Sequence, residues 1–92
     1  MAFKTGFWAT GYNLPAGATH HWYQDVGDAY SVIHWFAAQP VFAWREDPEV
    51  RLAVKVFYLK HANSNHLQVN VLVENIGTSK ASAYIIYWAT NK

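Results

Sequence analysis

Histidine is the first residue type to weigh for chemistry, because five imidazoles in 92 residues are a generous supply of metal ligands and proton carriers. His20 and His21 are adjacent, and on an extended strand adjacent side chains leave opposite faces, so the two do not chelate one ion. His61 and His66 are better placed. They bracket a turn-rich stretch, Lys60-His61-Ala62-Asn63-Ser64-Asn65-His66, and would approach to ~5 Å as a cross-strand pair. Two ligands still fall short of the three or four that zinc takes, and no His-x-x-x-His or carboxylate partner has matching spacing. The expectation is ordinary loop histidines and no metal. A calcium site from Asp25, Asp28 and Asn13 is a minor alternative, which a chelator's effect on melting temperature would expose.

Catalysis finds less support. Asp25 and Asp28 flank Gly27, and Glu46, Asp47 and Glu49 flank Pro48. A glycosidase needs two carboxyls across a cleft at roughly 5–10 Å, and these read as turn and solubility residues. Ser31, Ser64, Ser79 and Ser82 sit in no nucleophile elbow, and no glycine-rich phosphate loop occurs. Cysteine is absent, which removes disulfides, thiolate metal sites and a thiol nucleophile together. A non-enzymatic chain without a cofactor is expected.

Aromatic residues suggest a different chemistry. Five Trp, six Tyr and five Phe make up 17% of the chain. Sugar rings stack their apolar faces on such planes while neighbouring Asn, Asp, Gln or His groups take the hydroxyls. Trp8, Tyr12, Asn13, His20, Trp22 and Gln24 fall within one N-terminal stretch. If the turn from Asn13 to Ala18 pairs its flanking strands as a hairpin, Trp8 or Tyr12 would lie beside His20 and Trp22. These six are the candidate carbohydrate-binding residues. Large aromatics in so small a domain are also ordinary core residues, so Trp8 and Trp22 carry two readings.

The elements that must position these side chains are strands. Val50, Leu52, Val54, Val56 and Tyr58 share one face at period two, and so do Leu67, Val69, Val71 and Val73, with Gln68, Asn70 and Glu74 opposite. The turn formers between these runs predict a hairpin. Asn75 to Lys80 predicts a turn in which Gly77 supplies a positive φ, followed by a last strand from Ala81 to Thr90. Upstream, β-prone runs cover Phe3 to Tyr12, Thr19 to Asp25 and Tyr30 to Phe36. Pro40 separates these from a further strand or edge at Val41 to Arg45. No window sustains helical periodicity. The fold expected is all-β: one domain over residues 1–92, an antiparallel β-sandwich of six to seven strands, immunoglobulin-like or jelly-roll-like.

The pattern Leu67-x-Val69-x-Val71-x-Val73-x-Asn75-x-Gly77, followed by Tyr84-x-Ile86-x-Trp88, resembles the penultimate hairpin of immunoglobulin-like bacterial adhesion modules of the CARDB and fibronectin III type. The resemblance covers about a quarter of the chain and implies a sandwich fold with an adhesive role.

Composition narrows the partners. Only 14% of residues are charged and 52% are hydrophobic, against about 25% charged in an average soluble domain, so disorder is excluded. A net charge of +1 offers no footprint for nucleic acid. No signal-peptide pattern is expected at the N-terminus, and no run reaches the ~20 apolar residues of a membrane-spanning helix, so a soluble chain is expected. The last strand, however, is apolar on both faces, with Ala83, Ile85 and Tyr87 on one and Tyr84, Ile86 and Trp88 on the other. The Tyr30 to Phe36 run behaves likewise, with Ile33 and Trp35 opposite Val32, His34 and Phe36. Either a loop carrying Trp44 or Trp22 covers the second face, or it meets a partner. Tyr84, Ile86, Trp88 and Trp35 are the candidate interface for self-association. Two functions therefore stand: a lectin-like module acting as a homo-oligomer, and a self-assembling structural subunit with interfaces of about 2,000 Å² or more.

Overall fold

The computed structural model describes residues 4–27, 34–41, 49–60 and 66–91. Among these, β-branched and aromatic runs form six strands: β1 (Lys4–Leu14), β2 (Thr19–Gly27), β3 (His34–Pro40), β4 (Leu52–Lys60), β5 (Leu67–Asn75) and β6 (Ala81–Thr90). They build two antiparallel three-stranded sheets. The front sheet has the order β1-β6-β3 and the back sheet β2-β5-β4. The expected sandwich is thus realised. Of the expected strand at Val41 to Arg45, Val41 is described and follows directly on β3; its other residues, Trp44 among them, and the first residues of the Tyr30 to Phe36 run lie outside the described residues.

The core forms where the inward faces meet. Val69, Val71 and Val73 of β5 pack against Leu14, Ala81, Tyr84 and Ile86 of the front sheet, all buried. Each such side chain withdrawn from water stabilises the fold by roughly 1.5–3 kcal/mol. Leu52, Val54 and Val56 extend the cluster from β4. The β4–β5 hairpin expected from the alternation is present, with Val54 opposite Val73 and Val56 opposite Val71.

The N-terminal hairpin is not. β1 pairs with β6 and β2 with β5, so the chain crosses from front to back sheet between Leu14 and Thr19. Asn13 at φ 57° and Gly17 at φ 82° take the left-handed conformation that asparagine and glycine tolerate best. The first breaks the alternation of β1 and sends Leu14 inward two residues after the exposed Tyr12. Gly17 N–H then donates to Asn75 O at 2.8 Å, and Asn75 N–H to Ala18 O at 3.0 Å. The second crossover, from β5 to β6, is tied to the first by the buried Asn75 side chain. Its Nδ2 donates to Leu14 O and Ser79 O, and its Oδ1 accepts from Gly77 N–H. The two segments that carry the resemblance to the hairpin of adhesion modules therefore do not pair as a hairpin; they lie in different sheets and face each other across the core.

Gly77 serves close approach rather than a positive φ. A Cβ there would overlap the carbonyl oxygen of Glu49, which receives Thr78 N–H at 3.0 Å while Arg51 O receives Ile76 N–H at 2.7 Å. Because the obstacle is backbone, Gly77→Ala should cost about 3 kcal/mol or more. A urea titration that found the variant within 1 kcal/mol of the parent, at roughly the precision of such fits, would contradict this.

A cavity at the open end of the sandwich

Opposite the crossovers the sheets part, and a cavity of about 540 Å³ lies between them. Its walls come from both sheets. Trp8 and Lys4 project from β1, Phe36 and His34 from β3, and Trp88 and Thr90 from β6; Gln24, Asp25 and Val26 come from β2 and Val69 from β5. Trp8 reaches it through a bulge in the β1–β6 ladder, where the register shifts between Phe7 and Ala9. A bulge adds a residue to one strand and re-aims its side chain. Here it sets Trp8 inward, 5.2 Å from Phe36 and 6.3 Å from Trp22 between ring centroids. Trp88 lies over Gly6, its register partner, where a Cβ would come within 2.8 Å of the indole.

Of the six residues expected to bind sugar, the structure brings Trp8 and Gln24 to this cavity, with Trp22 packed behind Trp8. His20 and Trp22 point into the core from β2 and meet at one hydroxyl. Trp22 Nε1 donates to Tyr84 Oη at 2.9 Å, and Tyr84 Oη lies 2.6 Å from His20 Nδ1. One hydroxyl thus joins the indole N–H and the imidazole, tying both β2 side chains to β6. Burial raises the Tyr84 pKa above its ordinary value. Tyr12 and Asn13 go elsewhere, Tyr12 onto the outer face of the front sheet and Asn13 into the crossover. Asn13 and Asp25 are thus at opposite ends of the sandwich, which separates two members of the calcium alternative. Its third, Asp28, lies outside the described residues, as does His61. His66 Nδ1 sits 3.3 Å from Asp25 Oδ2, and no group of three or more metal-ligating residues occurs among the described residues.

The interface expectation needs a correction. Tyr84 and Ile86 are fully buried in the core, and Trp88 faces the cavity. It is the opposite face of β6, with Ala83, Ile85 and Tyr87, that turns outward together with Trp35. Period two reveals two apolar faces without saying which is inside.

The lining also includes Lys4, Phe36 and Thr90, which the sequence does not single out as site residues. Their signal is register alone, since Thr90 is opposite both Lys4 and His34, and Trp88 opposite Phe36. His34 also escaped as a site residue. Burial lowers its pKa below the ordinary 6.5, and the Tyr58 hydroxyl lies 3.4 Å from its Nδ1. A histidine held neutral by the fold binds fewer protons folded than unfolded, so its contribution to stability is complete above pH 6.5 and falls as pH drops through the lowered value. Melting temperature should therefore decline from pH 7.5 to 5, and His34→Gln should flatten part of that decline. Identical profiles for the two proteins would exclude the assignment.

Asn70 lies on the face of β5 opposite Val69, Val71 and Val73. It points to the outer face, yet is only 1% exposed. His21, beside Tyr23 and Phe57, covers it. Asn70 Nδ2 donates to Gln68 O at 3.2 Å, so its Oδ1 accepts from His21 Nε2–H at 2.8 Å.

Fold and cavity together define a small β-sandwich with an aromatic-walled chamber between its sheets. No protein-family model, no curated protein and no solved structure matches the chain. No helix among the described residues is long and apolar enough to cross a membrane.

Proposed function

We propose that the chain is a non-catalytic carbohydrate-binding module whose site is the open-end cavity. The observation that carries this reading is the lining itself. Trp8, Phe36 and Trp88 offer apolar planes, while Lys4, Gln24, Asp25, His34 and Thr90 offer donors and acceptors around them. A sugar ring presents that same division, with axial C–H patches on its faces and hydroxyls at its rim. A volume of about 540 Å³ lies within the range of small-ligand sites and suits one or two sugar rings. Binding is favoured over hydrolysis because Asp25 is the single carboxylate among the described lining residues, where glycoside cleavage ordinarily takes a pair. An adhesive role, implied by the resemblance of β5 and β6 to bacterial adhesion modules, fits such a site.

A glycan array followed by titration of tryptophan fluorescence tests the proposal. A hit should quench or shift the emission. Trp88→Ala should weaken binding about tenfold or more by removing a stacking plane. Gln24→Ala, at an exposed position, should weaken it with the fold untouched, and Tyr12→Ala should change nothing. An array with no hit, or affinity indifferent to Gln24 and Trp88, would sink the idea.

A further inference from the structure

The outer faces of the two sheets differ in kind. On the back sheet the exposed Tyr23 and Phe57 are interleaved with His21, Lys55 and Glu74, the mixture of a solvated surface. Among the described residues, the outer face of the front sheet carries no Lys, Arg, Asp, Glu or His. Its large side chains are open to solvent in the single chain: Phe7 58%, Tyr12 63%, Trp35 45% and Tyr87 43% exposed. A contiguous apolar patch of this kind marks a contact site.

The register says what fits it. Four rows cross the face from β1 through β6 to β3. They read Thr5-Ala89-Trp35, Phe7-Tyr87-Ala37 and Thr10-Ile85-Gln39, then Tyr12-Ala83 continued by Val41, whose N–H donates to Ala83 O. Size alternates along both edge strands, and in opposite phase. Where β1 is small, at Thr5, β3 is large, at Trp35; where β1 is large, at Phe7, β3 is small, at Ala37. In the third row both edges are polar, Thr10 and Gln39.

We propose that the front sheet stacks face to face on that of a second copy of this chain, about a two-fold axis running along β6. That operation lays β1 over the partner's β3 with every row on itself. Thr5 then faces the partner's Trp35, Phe7 the partner's Ala37, Tyr12 the partner's Val41, and the polar pair in the third row hydrogen-bonds across. In the first, second and fourth rows the smaller edge side chain makes room for the larger one opposite, while Tyr87 and Ile85 meet their own copies along the axis. An uncharged face meeting itself meets no like charge, which an isologous contact would otherwise place directly across the axis. Three strands about 4.8 Å apart and ten residues at about 3.4 Å give roughly 500 Å² of face per copy. The pair buries on the order of 1,000 Å² or more, at the lower edge of specific interfaces. The dimer is therefore reversible and concentration-dependent. This inference is independent of the sugar reading, because it uses the opposite face of the front sheet from the cavity.

Sedimentation velocity from about 1 to 100 µM should follow a monomer–dimer equilibrium, the regime of an interface this small. Tyr87→Glu puts two carboxylates against each other at the axis and should raise the dissociation constant at least about 100-fold, with the circular dichroism spectrum and melting curve of the monomer retained. The chain has no cysteine, so single substitutions report position. Ala89→Cys lies on the axis and should cross-link to dimer with a bis-maleimide spanning about 10 Å, the spacing of packed sheets; Glu74→Cys on the back sheet should not. A parent protein that stays monomeric across this range would overturn the proposal, including one that instead binds lipid vesicles or an insoluble polysaccharide through Tyr87. So would a dimer that tolerates Tyr87→Glu or cross-links through Glu74→Cys.

Discussion

Gly11→Ala is expected to melt on the order of 20 °C below the parent protein. Gly11 stands opposite Tyr84 in the β1–β6 register, and the space a Cβ would occupy is filled by the Tyr84 ring. That ring has nowhere to go. Tyr84 is the largest fully buried side chain among the described residues. Trp22 packs edge-on to it at 6.5 Å and His20 at 5.7 Å, and both hold its hydroxyl. Overpacking costs about 1–3 kcal/mol where neighbours can shift. Displacing the ring also takes away the hydroxyl partner of the Trp22 N–H and of His20 Nδ1, at roughly 1–3 kcal/mol for each such group left unpaired. A total near 4 kcal/mol is most of what a small domain possesses, and at roughly 4–8 °C per kcal/mol it gives the shift stated. Thermal denaturation followed by circular dichroism measures it. The mechanism is tested by a cycle with Tyr84→Ala, which removes the obstacle. The second substitution should cost clearly less in the Gly11→Ala background than in the parent. Simple additivity would show that the clash is not the cause.

Asn75→Asp should rival it through electrostatics instead of volume. The Asn75 carboxamide is buried, donates twice and accepts once, and joins the two crossovers at the closed end. Asn75→Ala leaves the carbonyls of Leu14 and Ser79 and the N–H of Gly77 without that partner, a loss of about 3 kcal/mol after some relaxation and hydration. Aspartate keeps the acceptor for Gly77 but turns a carboxylate oxygen toward two carbonyl oxygens in a site shielded from water, so it should exceed the alanine variant at neutral pH. The fold then favours the protonated acid, whose O–H restores one donor. Relative to the parent at the same pH, the penalty of Asn75→Asp is greatest above the raised pKa of the introduced carboxyl and shrinks as pH falls through it. Urea midpoints at neutral and acid pH report this. A penalty that does not shrink on acidification would refute the donor role.

Both predictions concern residues whose importance is poorly visible in sequence. Gly11 reads as an interruption of a β-prone run, and Asn75 as a turn former after β5. Their roles depend on residues 73 and 61 positions away, Tyr84 opposite Gly11 and Leu14 beside Asn75. By contrast, the inward faces of β4 and β5 and their hairpin follow from local alternation, because each residue's face depends only on its neighbours. The expected N-terminal hairpin failed for the same reason in reverse. The segment from Asn13 to Gly17 has hairpin-turn composition, but with left-handed residues at both ends it carries the chain from one sheet to the other. Trp8 and Gln24 therefore reach one cavity from opposite sheets, and Tyr12 leaves it.

Sequence by itself determined that this chain is all-β, that an excess of aromatic side chains exceeds the needs of one small core, and that β6 is apolar on both faces. These follow from composition and period two, which act within a strand. Only the tertiary structure decided which face of β6 is interior, that Tyr84 and Ile86 are core while Ile85 and Tyr87 look outward, and that Trp8, Phe36 and Trp88 line one open cavity together with His34. Those outcomes depend on how six strands register and which sheet each joins. Such long-range choices include contacts, Gly11 against Tyr84 and Asn75 across the crossovers, whose energies appear only once distant segments meet.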